Sequence, residues 1–126
     1  MNYKVTYYDA PDEVIDADRC DTIDKWVVFV PEADAEKVAA AMHEAGAGVI
    51  GDYDHAMFTS TGIGSFRPLD GATPAIGQVG EVERVPEARI EMVADSGLRE
   101  DVRAALLESH PYEEVAFDVY PLVDVT

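Results

Sequence analysis

The 126-residue chain has one cysteine, one tryptophan and nine basic residues against 26 acidic ones. Each shortage closes off a class of protein. A lone thiol, Cys20, cannot form an internal disulfide, which fits a reducing compartment. It lies in IDADRCDTIDK, among carboxylates that raise a thiol's pKa, which argues against a nucleophile. With a net charge of −17 the chain repels phosphate backbones and anionic lipid, so neither nucleic acid nor membrane is an expected partner. No apolar run approaches the roughly 18 residues of a membrane span. The first residues, MNYKVTYYDAPDEVID, lack the basic and apolar regions of a secretory signal, so a cytoplasmic protein is expected. What this charge does attract is cations or a basic protein partner; its plainest effect is solubility.

Nucleotide motifs are missing as well. TGIGSFR (61–67) imitates a phosphate loop but carries Arg67 where a third glycine belongs, and no helix follows. Gly62 and Gly64 are read instead as a bend or bulge in a strand, with Phe66 re-entering a core or interface. No nucleophile–base pair and no zinc-ligand spacing is legible.

What is present is regular from Lys25 onward. WVVFV (26–30) is β-branched and aromatic and is stopped by Pro31, the signature of a buried strand. In the next segment Val38, Ala41, Met42 and Ala45 form one helical stripe, with Gly46 as its C-cap. GDYDHAMFTSTGIGSFRP (51–68) reads as a strand, and LDGATPAIGQVG (69–80) as a loop. EVERVPEARIEMVAD (81–95) reads as one long, exposed strand or two short ones with Pro86 at the break, the proline demoting that part to an edge or bulge. Ser96 is placed as the N-cap of a second helix with Leu98, Val102, Ala105 and Leu106 on one face. A last strand sets Val115, Phe117 and Val119 on one side. The order βαββαβ gives an α+β fold, a ferredoxin-like two-layer sandwich, over residues 25–126. Residues 1–24 form an acidic extension in which VTYY supplies at most one short strand.

GAGVIGDYDHAMFTSTGIGSFRP, IGQVGEVERVPEARIEMV and SHPYEEVAFDVYPL together resemble the domain inserted in YqfO-type proteins of the Ngg-interacting-factor family. HPYE before a final strand is also similar to the ending of CutA, a relative of the PII signalling fold. The resemblance implies a PII/CutA-like domain that trimerises through its sheet edges. Full YqfO-type proteins carry two outer lobes with a dinuclear metal centre, which a chain of this length does not hold. Ala56 stands where the family often has cysteine, so a thiolate–histidine role beside His55 is not carried over.

Two constellations carry whatever chemistry there is. In HPYEE, His110 closes a helix as a partly positive imidazole, and Pro111 turns the chain extended. Tyr112 suits a sheet edge, and Glu113 and Glu114, as strand neighbours, diverge to opposite faces. In GDYDHAMF, strand alternation puts Tyr53 and His55 on one face and Asp52 and Asp54 on the other. Imidazole and carboxylate suit zinc or copper. With strand order 4-1-3-2, His55 and His110 lie far apart in one subunit, so a divalent-metal site of His55, His110 and Glu113 requires a trimer interface. His43 is placed at the solvent boundary of the first helix. The expectation is a non-catalytic homotrimeric module binding a small ligand or a divalent metal. A metal-dependent hydrolase and an acidic interaction module are the rival classes.

Overall fold

Ile23–Pro31 (β1) lies inside the sheet, paired along its whole length on one side and from Asp24 to Val28 on the other. The computed structural model describes residues 22–125; the expected VTYY strand and Cys20 lie outside them. After β1 come Ala35–Glu44 (α1), Phe58–Phe66 (β2), Glu83–Asp95 (β3), Arg99–Ser109 (α2) and Phe117–Pro121 (β4), with a single 3₁₀ turn before each helix. The antiparallel sheet has the order β2-β3-β1-β4, the α+β ferredoxin-like arrangement expected from the element order. β1 starts at Ile23, two residues before Lys25.

Alternation explains which face is covered. Trp26, Val28 and Val30 stand opposite Met92, Ile90 and Ala88 in the β1–β3 ladder, and all six are buried. The helices answer with Val38, Ala39 and Met42 from α1 and Val102 and Leu106 from α2. Phe117 stacks on Trp26 with ring centroids 6.0 Å apart, which seals the β4 edge of the core. Ala41, Ala45, Leu98 and Ala105 of the expected stripes are only half buried. The opposite face carries Lys25, Arg89 and Glu91, and no helix of the described residues packs upon it.

Asp24 is the one wholly buried acid of the sheet. Both its oxygens accept from Arg99 at the start of α2, Oδ2 from Nε at 2.9 Å and Oδ1 from Nη2 at 2.8 Å. That fork ties α2 to β1 across 75 residues of chain. α1 ends as its glycine suggested. Gly46, at φ 110°, and Ala47 donate to the carbonyls of His43 and Met42, a Schellman arrangement.

Two local expectations need correction, and the alternatives at Pro86 resolve to one continuous strand. Asp95, not Ser96, caps the turn into α2, accepting from the Gly97 N–H at 2.8 Å. Gly62 and Gly64 make no bend, since β2 pairs without interruption with β3 from Phe58↔Glu91 to Phe66↔Glu83. Pro86 does not break β3 either. It sits one residue past the β1 ladder, which ends at Pro31↔Glu87, so β3 is locally an edge, where proline is tolerated.

Removing Arg99 leaves the Asp24 carboxylate buried without its partner. Arg99→Ala is expected to cost about 3 kcal/mol of unfolding free energy in urea melts. Arg99→Lys should recover only part of it, because an ammonium cannot fork onto both oxygens.

Candidate functional site

α2 ends at Ser109, and His110 takes the capping position with φ −79° and ψ 137°, the extended geometry that Pro111 imposes. Its ring turns inward and is 6% exposed. Nε2 lies 2.8 Å from the Phe29 carbonyl oxygen, which can only accept, so Nε2 carries the proton. Nδ1 then accepts from the Tyr112 N–H at 3.1 Å. Burial lowers the imidazole's pKa, against the raising effect of the Phe29 carbonyl and Asp34. His110 is therefore a neutral joint and not the partly positive cap expected. With both nitrogens engaged, it has no lone pair to offer a metal unless one of these bonds breaks.

Tyr112, thus seated, reaches the β2 end of the sheet. Its hydroxyl donates to Glu87 Oε2 at 3.2 Å, and its ring meets the edge of Phe66 at 5.6 Å. Burial first, and the Glu87 carboxylate second, push its pKa up to about 12. Gly64 is what lets Glu87 lie there: a Cβ on Gly64 would collide with the Glu87 carboxylate. Glu113 Oε1 accepts from the Thr73 N–H at 2.8 Å and fastens the connection between β2 and β3.

These contacts enclose a pocket of about 450 Å³. Phe29, Phe66 and Tyr112 form its aromatic walls, and Leu69, Pro74 and Ile76 of the connecting loop face them. The charged groups along it are Glu87, Glu113, Glu114 and Arg67. Glu113 and Glu114 were expected to diverge, yet both line this one cavity. The reason is that β4 begins only at Phe117; the chain bends at Pro111, Glu113 and Glu114, so strand alternation does not apply.

GDYDHAMF is also not a strand. Ile50 and Tyr53 exchange backbone hydrogen bonds of 2.8 and 2.9 Å around Gly51, at φ 57°, and His55 has φ 56°. Tyr53 is exposed. The face-sharing expected of Asp52, Asp54, Tyr53 and His55 thus falls away. His55 lies against His43, with ring centroids 4.6 Å apart, while His110 belongs to Phe29 and Tyr112. Among the described residues no three or more His, Cys, Asp or Glu side chains gather so as to hold a metal. Sequence reading missed Glu87, Phe29 and the pairing of His43 with His55. Only Glu87 left a trace, as an acid inside a strand facing a G-x-G segment.

Comparison with known proteins identifies the class first: a PII/CutA-like domain. The CutA divalent cation tolerance protein of Archaeoglobus fulgidus aligns with TM-score 0.59 at 15% identity, covering 82% of this chain and 87% of that one. A PII protein of Arabidopsis thaliana shares the fold at TM-score 0.52 and 18% identity, covering 80% of this chain and 78% of that one. Sequence narrows the class to a family. A "GTP cyclohydrolase 1 type 2 homolog" of Mycobacterium tuberculosis is 54% identical over 101 residues, 80% of this chain. The Bacillus cereus protein related to NIF3 aligns at 46% identity and TM-score 0.72, covering 82% of this chain. No family model matches. The chain's homologues are NIF3-related, YqfO-type proteins, and it matches a PII/CutA-like domain of theirs. It spans about a quarter of these relatives, 27% of the first and 26% of the second.

The depressed pKa of His110 fixes a pH dependence. As pH falls through about 6.5, the unfolded chain takes up a proton that the folded one refuses. Stability is therefore lost in that window, by at most about 1.4 kcal/mol per pH unit. Thermal melts between about pH 7.5 and 5.5 should slope more steeply for the parent chain than for His110→Gln, which cannot titrate; parallel slopes would refute a neutral buried imidazole.

Proposed function

We propose that this domain is a non-catalytic, homotrimeric binding module whose ligand enters the pocket beneath Tyr112. The pocket is the observation that carries this reading. Its volume lies within the range of small-molecule sites, and its walls are mainly aromatic and aliphatic with a few convergent polar groups. Three glutamates among its lining residues favour a ligand with a cationic group on an apolar body. Chemistry has less support there. A phenol held protonated to about pH 12 donates a hydrogen bond rather than abstracting a proton. Ser65 is the one hydroxyl nucleophile among the lining residues besides the Tyr112 phenol, and the nearest imidazole, His110, spends both nitrogens on backbone.

The trimer rests on β2. Among the described residues it pairs with β3 along one side only, and Phe58 and Ile63 are 64% and 67% exposed. A long bare edge with apolar residues invites pairing, and sister copies can close it. Light scattering should give three times the 13.7 kDa chain mass, and a monomer at micromolar concentration would overturn this half of the reading.

Ligand binding is tested by thermal shift with aromatic and aliphatic amines, each paired with the carboxylate of the same skeleton. Amines should raise the melting temperature and their acidic twins should not. Glu87→Gln and Gly64→Ala, which displaces the Glu87 carboxylate, should each weaken binding about tenfold, the loss of one charge-assisted hydrogen bond. No stabilisation by either series, or equal stabilisation of both variants, would reject the pocket as the site.

A further inference from the structure

We propose that His43 and His55 form a two-imidazole site for a borderline divalent cation of the zinc or copper type. The case starts from where the protons are. His43 Nδ1 lies 3.1 Å from the Ala47 carbonyl oxygen, which can only accept, so the ring proton sits on Nδ1. His55 Nδ1 lies 3.1 Å from Asp54 Oδ1, an ion-pair contact whose carboxylate favours the proton on that nitrogen. Each ring therefore keeps its Nε2 lone pair. The two rings stand with centroids 4.6 Å apart, tilted by 42°.

This is the outer arrangement that metal-bound histidines need. A ligating imidazole donates its second N–H to a backbone carbonyl or a carboxylate, which fixes the tautomer and raises the basicity of the free nitrogen. His43 has the carbonyl and His55 the carboxylate. With Zn–N of about 2.0–2.1 Å, two imidazoles sharing a tetrahedral ion hold their centroids roughly 5 Å apart. The observed 4.6 Å is close to that spacing.

The backbone around the pair is specialised. His55 is the one non-glycine residue with positive φ among the described residues, a conformation costing about 1–3 kcal/mol. Its side chain is 71% exposed, so burial does not repay the strain. Gly48, at φ 86°, gives His43 its room: a Cβ there would lie 2.7 Å from the imidazole. The surrounding charge of −17 concentrates cations near the surface. Two protein ligands leave the other positions to water, in keeping with the absence of any three-residue cluster among the described residues. Such an ion exchanges readily, and bound it would clamp the end of α1 to the turn that leads into β2.

The full chain is titrated calorimetrically with ZnCl₂ in the presence of excess MgCl₂, which occupies carboxylates but shuns imidazole. One zinc per chain is expected. His55→Ala and His43→Gln should each weaken it at least tenfold; glutamine keeps a donor for Ala47 O, and melting curves confirm that both variants fold. Asp54→Asn should weaken it by about tenfold, the usual size of an outer-sphere loss. The chain has three histidines, so His110 serves as an internal control: sub-stoichiometric Cu²⁺ should broaden the proton-NMR signals of His43 and His55 and spare His110. No zinc uptake at millimolar concentration, an isotherm unchanged by either histidine substitution, or dependence on only one of the two rings would overturn the site.

Discussion

Two hydrogen bonds from one buried ring hold the candidate site together. His110 gives a proton to β1 at Phe29 and takes one from Tyr112, so a single neutral imidazole joins the end of α2, the centre of the sheet and the HPYEE bend. The bonds work as a pair because of burial. In a low-dielectric interior an unpaired ring nitrogen costs as much as a lost hydrogen bond, and a charged ring costs more. The same burial that depresses the pKa therefore selects the tautomer that satisfies both partners. Charging the ring would turn Nδ1 from acceptor to donor, facing an N–H. Everything downstream inherits that choice: Tyr112 onto Glu87, Phe66 against the ring, and Glu113 onto the loop at Thr73.

Gly64 extends the same logic into β2. Glycine inside a strand usually signals a bulge or a close approach. Here the ladder runs through it unbroken, and the space that a Cβ would fill is taken by the Glu87 carboxylate. The small residue therefore serves an interaction across strands and not a kink within one. An acid in a mostly apolar cavity, hydrogen-bonded to a phenol that cannot easily ionise beside it, is a fixed negative group with its geometry set in advance. Such preorganisation reduces the ordering cost of any cationic ligand that fits.

The parts of the fold that were legible in sequence were those with local periodicity. The apolar stripes of both helices, the β-branched run of β1 and the helix-ending glycine at Gly46 all follow from spacing and punctuation within a few residues, while the strand order came with the fold class. Residues 51–57 were misread because Gly-Asp-Tyr-Asp-His alternates like a strand, while the actual turn depends on left-handed backbone at Gly51 and His55. Glycine announces that freedom, but histidine does not. Glu113 and Glu114 failed for the opposite reason: the strand they were assigned to starts only at Phe117. The pairings Asp24–Arg99, Tyr112–Glu87 and His43–His55 span from 12 to 75 positions, and no single-sequence pattern encodes them. The resemblance carried the overall fold, not the partners within it.

β2 lies between the two places where ligand chemistry gathers. Its last residue, Phe66, walls the pocket, and its first, Phe58, follows directly on the turn that carries His55. Gly48, which gives His43 its room, donates to Val93 near the far end of β3, while Glu87 sits toward the other end of that strand. One exposed edge thus has a binding feature at each tip. If sister copies pair along it, any ligand that prefers one setting of either tip must bias assembly, and assembly must bias its affinity by the same factor. The size of that effect is bounded by the difference in affinity between the free and paired edge, not by the tightness of binding. A strand with little burial of its own is the natural carrier of such coupling, because its position is fixed mainly by one ladder to β3 and little packing resists a shift.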